Sequence, residues 1–372
     1  MKYALIGCGR IAINHLRAAV SNNLEVVALC DIVEKNIDSL VERASFSGSF
    51  DKYTDYKEML KKHPEIDLVA IATDSGCHAE IALNCLKNKK HVIVEKPMAM
   101  SISDARAMIK TAEANGLVLS VCHQNRFNNA VQQTRSAIEG GRFGKLSHGS
   151  ICVRWSRDMN YYTQAPWRGK WLSDGGALMN QCIHGIDLLR WMLGDEVTEV
   201  SGEIKQQFHV YLECEDVGIA TLKFKNGAIA TIEGTTNVYP KNLEETLYIF
   251  GESGTVKLGG TSCNNIDVWC FKDEQNDDSL AQGLKEVTQN VYGNGHILLY
   301  KDVVSSILNH SKPYVDGYAG LNALELVLAI YKSSLTHKPV KLPLDEFATS
   351  NMVDYFTRKK EGQTEWKNTH EE

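Results

Sequence analysis

Two short segments of the sequence carry residue types that suit proton and hydride chemistry. The first is Glu95-Lys96-Pro97, which follows a strand-like apolar run from His91 to Val94. A lysine at a strand end usually reaches solvent or pairs with a neighbouring carboxylate, here Glu95. Pro97 restricts the backbone beside the lysine and is able to form a cis turn, which would hold the ammonium at the strand end. The segment therefore predicts a fixed cation at one edge of a sheet.

The second segment couples a glycine turn to a helix that ends near Leu193. Asn180 and His184, four residues apart, share one face of this helix. A histidine in such a position is more often a structural residue than a catalyst. The Gly175-Gly176 pair lets the backbone approach a ligand closely, and the other face is apolar, so a sheltered site is favoured. The apolar stripe consists of Leu178, Cys182, Ile186, Leu189 and Leu193.

The elements that must position these residues begin at the N-terminus. Residues 1–6 read as a strand, followed by a turn that contains Gly7 and Gly9 and by a helix from about Ala12. Gly7 permits a tight turn, Gly9 leaves room for a pyrophosphate, and the helix N-terminus offers unpaired N–H groups. A glycine pattern alone is a weak signal, but strand, turn and helix in this order predict a dinucleotide site.

The type of dinucleotide follows from the second strand. This strand, Leu24 to Cys30, ends in Asp31. An acidic residue about 20 positions beyond the glycines is the expected partner of the adenosine ribose hydroxyls. No arginine follows immediately to receive a 2′-phosphate. We therefore expect NAD rather than NADP.

Strands and helices alternate through the first third of the chain, at 67–72, 79–89, 91–94, 101–115 and 117–122. This alternation predicts a doubly wound parallel sheet, a Rossmann domain that binds NAD, over residues 1–123. Ligands bind outside the carboxyl ends of the strands in such sheets. The rim selected in this way contains Gly7, Asp31, Thr73, Glu95, Lys96 and the segment 123–126.

The pattern changes after residue 123. Residues 124–372 predict an α+β domain for substrate binding and oligomerisation, with a large, open and mostly antiparallel sheet. A helix is predicted over 128–139, and strands over 147–157 and 197–206. The helices are too few to cover both faces of the sheet, so we hypothesise a sheet-to-sheet subunit contact.

Turn signals support the antiparallel pairing. Asn226-Gly227 between apolar runs is a type I′ hairpin signal, and residues 251–254 join a second hairpin. The tail after about Arg358 is rich in lysine, glutamate and threonine and is expected to be poorly ordered.

Composition excludes several classes of protein. The net charge of −6 gives no general attraction to nucleic acid. No apolar stretch reaches the length of a membrane span and Met1-Lys2 leads directly into the first strand, so a cytoplasmic protein that does not bind membranes is expected. The ten cysteines lack C-x-x-C spacing, and no metal site is predicted. Several cysteines in strand-like surroundings should be buried packing residues, namely Cys30, Cys122, Cys152 and Cys270.

The G-C-G-R-I-A turn, E-K-P, W-R-G-K-W at 167–171 and G-G-A-L-M-N-Q-C-I-H at 175–184 together resemble the Gfo/Idh/MocA family of oxidoreductases. The likeness spans nearly the whole chain and includes Glu215-Asp216, 239–244 and 292–296. It implies a Rossmann domain followed by an open-sheet domain, assembled face to face into homodimers or homotetramers. Within the family the sequence most resembles dehydrogenases that oxidise UDP-N-acetyl-2-amino-2-deoxyglucuronate at C3′ on the route to O-antigen polysaccharide.

The resemblance also implies roles for individual residues. Lys96 and His184 would be the active-site pair, and Arg168 would reach the cofactor phosphates from the second domain. Many family members carry Asp where Asn180 stands; Asn180 cannot exchange a proton, which puts an Asp-to-His relay in question. The residues expected at the cofactor are Gly7, Gly9, Arg10, Ile11, Asp31, Thr73, His78, Glu95, Lys96, Gln124, Trp167 and Arg168.

A sugar substrate of this kind needs groups for a carboxylate and a pyrophosphate, and arginine suits both. Arg168 is one candidate, and Tyr161 and Tyr162 are candidates to cover the sugar or the uracil. The residues expected at the substrate are Lys96, Arg126, Arg154, Arg157, Tyr161, Asn180 and His184.

We hypothesise that neutral His184 removes the hydroxyl proton while hydride passes to the nicotinamide and Lys96 hydrogen-bonds the same oxygen. The two roles are exchangeable, because desolvation beside an oxidised nicotinamide lowers the pKa of a lysine. Two rival functions stay open: a dehydrogenase of inositol or another sugar, and a non-catalytic dinucleotide-binding sensor. The sequence also leaves open whether NADH is released or is reoxidised in place by a second substrate such as 2-oxoglutarate.

Overall fold

The computed structural model describes residues 1–194, 196–272 and 294–357. Its first half contains a six-stranded parallel sheet with the order β3-β2-β1-β4-β5-β6, and the predicted Rossmann fold is confirmed. The strands are β1 (Lys2–Ile6), β2 (Glu25–Cys30), β3 (Asp51–Tyr53), β4 (Leu68–Ile71), β5 (His91–Val94) and β6 (Leu119–Val121). The helices of this half are α1 (Ala12–Ser21), α2 (Glu34–Ala44), α3 (Tyr56–Lys62), α4 (His78–Lys87) and α5 (Ile102–Ala114).

The first sheet is covered on both faces. Tyr3 and Leu5 enter the core on one side, whereas Ala4 and Ile6 enter the core on the other. This double burial explains why the strands read as continuous apolar runs rather than as alternating patterns.

The second half contains an eight-stranded sheet with the order β13-β12-β11-β7-β10-β9-β8-β14. The pair β7–β10 is parallel and the other described neighbours are antiparallel, which confirms the predicted mostly antiparallel sheet. The strands are β7 (Leu146–Arg154), β8 (Val197–Lys205), β9 (Val217–Phe224), β10 (Ile229–Thr235), β11 (Glu244–Gly251), β12 (Gly254–Gly259), β13 (Asn265–Phe271) and β14 (Val340–Lys341).

Helices cover one face of this second sheet. Within the described residues, the helices of this half are α6 (Asn129–Glu139), α7 (Met159–Thr163), α8 (Ile183–Leu193), α9 (Gly295–Leu308) and α10 (Gly317–Thr336). Helices α8 and α10 pack on the inner face, while Ile219 and Ile229 on the outer face are 57% and 58% exposed. The subunit contact across this outer face stays a prediction. Helix α9 packs against α1 and contributes Tyr300 to a core of the first half.

Both predicted hairpins form, but the turn type at Asn226-Gly227 was wrong. Gly227 has a φ of +88°, whereas Asn226 is not among the residues with positive φ that a type I′ turn requires. The Asn226 side chain explains the difference, because it bridges two elements. Its amide donates to the Leu193 carbonyl at 2.7 Å, and its oxygen accepts from the Ala228 N–H at 3.0 Å.

The prediction of buried cysteines was right for Cys30 and Cys122 and wrong for Cys270, which is exposed; Cys152 is half-buried. Both exceptions lie on strands of the second sheet, whose outer face has no covering layer within the described residues. Among those residues, no helix combines the length and the apolar character needed to cross a membrane. The predicted poorly ordered tail and residues 292–293 of the family likeness lie outside the described residues.

Candidate active site

The turn between β1 and α1 leaves open backbone at the end of the sheet. Gly7 has a φ of +91°, and a Cβ there would meet the backbone of Ala72 at 2.5 Å. A Cβ at Gly9 would meet nothing within 4 Å, so this position faces open space. A cavity opens at this end of the sheet, and the turn residues Gly7, Gly9, Arg10 and Ile11 line it. The turn therefore fits a pyrophosphate that approaches bare backbone and the N-terminus of α1.

Asp31 stands directly after β2 and faces this cavity. One carboxylate oxygen accepts a hydrogen bond from the Cys8 backbone N–H at 2.8 Å. The other oxygen accepts from the Val33 N–H at 2.9 Å and from the Asn36 side chain at 3.0 Å. These donors fix the carboxylate beside the glycine turn, where it can accept hydrogen bonds from ribose hydroxyls. The residues present fit NAD.

Thr73 and His78, at the end of β4 and the start of α4, also line the cavity. The two ring nitrogens of buried His78 lie 2.8 Å from the Pro97 carbonyl oxygen and 3.2 Å from that of Thr73. Burial lowers the pKa of His78, so its ring is neutral at pH 7. His78 therefore supports the turn that carries Lys96.

The Glu95 side chain contacts a buried network rather than the Lys96 ammonium. Its Oε1 atom lies 3.1 Å from His15 Nε2 and 3.3 Å from His296 Nε2, and its Oε2 atom accepts from the Lys96 backbone N–H at 3.1 Å. Burial by itself raises the pKa of this carboxyl, but the two imidazoles hold it well below its ordinary value. With Cys122 these residues bring four potential metal-ligand atoms within 4.8 Å of one another. The contacts present are hydrogen bonds that hold the E-K-P turn.

Lys96 lies at the end of β5 and lines the cavity. The Lys96–Pro97 peptide bond is cis, one of the two forms that a proline at this position allows. The Lys96 Nζ atom donates a hydrogen bond to the main-chain carbonyl of Asn180 at 2.7 Å. Burial lowers the pKa of Lys96, while the carboxylates of Glu95 and Asp174 oppose this effect. The lysine thus joins the strand ends of the first sheet to the segment that carries His184.

His184 is 6% exposed and lines the same cavity. Its Nε2 atom lies 3.4 Å from the side-chain nitrogen of Gln124, and its ring packs edge-on against His123 with centroids 5.7 Å apart. Burial lowers the pKa of His184 well below its ordinary value, and the Lys96 ammonium lowers it further. The imidazole is therefore neutral at pH 7 and can accept a proton.

The segment before α8 departs from the regular helix that the sequence predicted. Residues 178–182 form a π-helical turn, and α8 begins only at Ile183. Both Asn180 and His184 line the cavity, and all residues of α8 are buried because the helix lies between the second sheet and the rest of the molecule. Single π turns inside helices are frequent at functional sites.

Two of the predicted arginines reach the cavity. Arg157 donates to the Gln181 side chain at 2.6 Å and to Asn242 at 3.0 Å. Arg168 donates to the Tyr161 hydroxyl, and its guanidinium carbon lies 4.2 Å from the centre of that ring. Trp167 and Tyr161 line the cavity beside them. The two cations give this end of the cavity a positive lining.

The other two arginines do not line the cavity. Arg126 is buried and makes two hydrogen bonds to Asp187, at 2.7 and 2.6 Å, which anchor α8. Burial raises the pKa of Asp187, but the Arg126 guanidinium holds it below its ordinary value. Arg154 pairs with Glu233 and Glu244 across neighbouring strands, at 2.5 Å in each case. Carboxylates that the sequence does not place next to these arginines therefore decide where each side chain lies.

Three further side chains differ from expectation. Tyr162 is buried and donates to Thr236 at 3.2 Å instead of covering a ligand. Trp155 and Gln181 line the cavity but were missed. Gln181 lies three residues before His184, so the helical spacing carried a signal for it. Trp155 follows β7 directly, but nothing in the sequence shows which side of that strand end meets the cavity.

The cavity-lining residues described above surround one continuous cavity of about 850 Å³ that extends from the glycine turn to Trp155. A parallel sheet with a glycine turn, Asp31 and a lysine–histidine pair defines an NAD-dependent dehydrogenase. The description "Oxidoreductase family, NAD-binding Rossmann fold" matches residues 1–123, and "GFO/IDH/MocA C-terminal domain" matches residues 131–257. The chain belongs to the Gfo/Idh/MocA family and is an NAD-dependent sugar dehydrogenase of that family.

Solved structures and curated relatives agree with this assignment. The WlbA dehydrogenase from Bordetella pertussis, in complex with NADH and UDP-GlcNAcA, is 35% identical with a TM-score of 0.83 over 93% of this chain and 98% of that one. The WlbA dehydrogenase from Chromobacterium violaceum, with the same ligands, is also 35% identical with a TM-score of 0.83, over 93% and 96%. The myo-inositol 2-dehydrogenase of Thermotoga maritima is 26% identical over 92% of this chain and 98% of its own length.

Proposed function

We propose that the protein oxidises the C3′ hydroxyl of UDP-N-acetyl-2-amino-2-deoxyglucuronate to the 3-keto sugar, with NAD as the hydride acceptor. The product would be a precursor of surface polysaccharides such as O-antigen. The observation that carries the proposal is the 35% identity, over 93% of the chain, to a dehydrogenase bound to NADH and UDP-GlcNAcA.

The charge of the cavity supports an anionic sugar. Arg157 and Arg168 line the cavity beside Lys96, and the partners described for both guanidiniums are neutral oxygens and aromatic rings. Arginine makes paired, charge-assisted hydrogen bonds with carboxylates and phosphates. A nucleotide sugar acid has both groups, whereas inositol has neither.

The proton chemistry follows from the lysine–histidine pair. Neutral His184 accepts the proton of the C3′ hydroxyl, and the Lys96 ammonium stabilises the negative charge that develops on the oxygen. Bound NAD supplies the acceptor for the hydride from C3′. The exchanged assignment, with Lys96 as the base, is supported by the burial that lowers its pKa.

A second candidate is the oxidation of inositol or another neutral sugar. It is favoured by the myo-inositol 2-dehydrogenase of Thermotoga maritima, which matches 92% of this chain. Such an enzyme would use the same cofactor turn, Lys96 and His184. Its neutral substrate would offer no anionic group to Arg157, and for this reason we place it second.

Two further features belong to the proposal. We propose that homodimers or homotetramers form through the outer face of the second sheet, where Ile219 and Ile229 are more than half exposed. We also propose that 2-oxoglutarate is a second substrate that reoxidises NADH in place. Light scattering that gives a strict monomer would contradict the first, and NADH that is never reoxidised on addition of 2-oxoglutarate would contradict the second.

The decisive experiment mixes purified protein and NAD with UDP-N-acetyl-2-amino-2-deoxyglucuronate or with myo-inositol, each with and without 2-oxoglutarate. NADH absorbance reports hydride transfer, and mass spectrometry detects a keto product two hydrogens lighter. We expect product from the nucleotide sugar only, and none from the Lys96→Met variant. Product from myo-inositol alone would establish the second candidate, and retained NAD binding without any product would favour the sensor.

A further inference from the structure

Asp174 is a buried carboxyl beside the proposed active-site pair that the mechanism above does not use. It is 2% exposed. One of its oxygens accepts a hydrogen bond from the Asn180 side-chain amide, and the other accepts from the Gly169 backbone N–H at 2.6 Å. Burial raises the pKa of Asp174, and the two N–H donors oppose this effect together with the charges of Arg168 and Lys96, which favour the ionised form.

Asn180 connects this carboxylate to Lys96. The main-chain oxygen of Asn180 accepts the hydrogen bond from Lys96 Nζ at 2.7 Å, while its side-chain amide binds Asp174. The Asn180 side-chain oxygen accepts from Gln181 at 2.8 Å, so the orientation of the amide is fixed from both ends. Asp174, Asn180 and Lys96 thus form one chain of contacts through the π-helical turn.

The charges around Lys96 show how this chain of contacts can affect the lysine. Lys96, Arg157 and Arg168 lie close enough for each arginine to lower the pKa of the lysine. The charged and titratable groups around Lys96 are Glu95, His123, Arg157, Arg168, Asp174 and His184. Cys122 and Cys182 are also near, but burial raises their thiol pKa values well above the ordinary value and keeps them neutral. Glu95 is held by two imidazoles at the back of the turn, which leaves Asp174 as the carboxylate on the Asn180 side.

We propose that Asp174 is a positioning residue for Lys96, which it acts on through Asn180 and through its negative charge. Its contact with Gly169 extends the same control to the loop that carries Arg168. The inference rests on the proposed function in so far as Lys96 acts on the substrate. The link between Asp174 and the protonation of Lys96 does not depend on which sugar is bound.

The test measures the protonation of Lys96 directly. Isocyanic acid, the protonated form of cyanate, adds to neutral amines and converts them to carbamoyl-lysine. The labelling rate at Lys96, divided by the fraction of isocyanic acid at each pH, is therefore proportional to the fraction of neutral amine. Purified wild-type protein, D174N, D174N/N180D and the control D302N are treated with cyanate across a pH series, and the Lys96 peptide is quantified by mass spectrometry. Asp302 is a fitting control because it also holds a backbone N–H, that of Tyr314 at 2.7 Å, and lies outside the cavity lining.

We expect D174N to label Lys96 about tenfold faster at pH 7, which corresponds to a midpoint lowered by about one pH unit. The double variant returns one carboxylate to the pair and should restore the wild-type midpoint, and D302N should not move it. An unchanged midpoint in D174N would overturn the proposal, as would a low midpoint that persists in the double variant. If D174N does not fold, D174S takes its place in the same comparison: a midpoint lowered by about a unit supports the proposal, and an unchanged one overturns it.

The readout also separates this inference from the proposed function. A shifted labelling midpoint in protein that makes no 3-keto sugar would leave the role of Asp174 intact and reject the substrate. Formation of the 3-keto sugar with an unchanged midpoint in D174N would do the reverse.

Discussion

The cofactor side of the cavity is built from backbone and strand ends, whereas the opposite side is built from side chains that hold one another. Gly7, Asp31 and Thr73 each follow a strand of the parallel sheet closely. Arg157 depends on Gln181 and Asn242, which lie 24 and 85 residues away along the chain. The geometry of the cofactor side depends on residue spacing within short segments. The geometry of the opposite side depends on which residues, distant in the sequence, the fold brings together.

Lys96 and His184 lie where the two sides meet, so their loss should have the largest effect. We expect His184→Ala and Lys96→Met each to lower kcat by about 10² to 10⁴-fold, because a positioned proton acceptor or oxyanion stabiliser is removed. NAD affinity should change little, since the glycine turn and Asp31 are untouched. Single-turnover hydride transfer measures the first quantity, and NAD titration the second. His148→Ala, on the outer face of the second sheet, serves as the control.

The pH profile of the same reaction assigns the base. Burial lowers the pKa of His184 well below 6.5, so a rate that depends on neutral His184 should stay high as the pH falls through 6.5. An acid limb well above pH 6.5 that disappears in Lys96→Met would instead assign the base to the lysine. An unchanged rate in His184→Ala would exclude our first assignment.

The side of the cavity that is built from side chains is tested by two arginines, of which Arg157 lines the cavity and Arg154 does not. Arg157→Ala should raise KM for the anionic sugar roughly ten- to a hundredfold, because hydrogen bonds to charged groups contribute about 1.5 to 3 kcal/mol. Arg154→Ala should leave KM unchanged, since Glu233 and Glu244 already bind this guanidinium. Steady-state kinetics with both variants makes the comparison. Equal increases in KM would show that Arg154 also serves the substrate.

The cofactor side of the cavity is tested by adding one methyl group at each of two glycines. Gly9→Ala should weaken NAD binding about tenfold or more without changing the melting temperature, because the added Cβ meets open space in the protein and the pyrophosphate when the cofactor binds. Gly7→Ala should lower the melting temperature, since its Cβ would lie 2.5 Å from the backbone of Ala72. Cofactor titration and thermal unfolding separate the two. Unimpaired NAD binding by Gly9→Ala would contradict this use of the turn.

The last prediction concerns the stability of the fold and a buried carboxyl beneath α8. Glu245 is 1% exposed, and burial raises its pKa to about 8. In the unfolded chain this carboxyl has a pKa of about 4.5. The free energy of unfolding therefore falls as the pH rises from about 4.5 to about 8, because only the unfolded chain ionises the group in this range. Glu245→Gln should therefore raise the free energy of unfolding at pH 8 by roughly 4 kcal/mol, at about 1.4 kcal/mol for each unit between the two pKa values, and by only about 1 kcal/mol at pH 5. Urea unfolding at both pH values measures this, and equal effects at the two would contradict it.

Local sequence patterns predicted more of the structure of the first half of the chain than of the second half. The parallel sheet and the glycine turn both followed from residues next to each other in the sequence. The π-helical turn at 178–182 did not, because the apolar stripe of this segment has the spacing of an ordinary α-helix. The turn at Asn226 was misassigned for a related reason, since its side chain bonds to Leu193 in another element.

The sequence by itself determined the fold class, the family and the cofactor, because strand, glycine turn, helix and Asp31 form a unit whose geometry is set within about 30 residues. Only the tertiary structure decided which arginines face the cavity. Arg126 and Arg154 are bound by carboxylates 61 and 79 residues away, whereas the acceptors described for Arg157 and Arg168 are neutral oxygens. A charged side chain lies where its partner lies, and the distance along the chain does not reveal that partner.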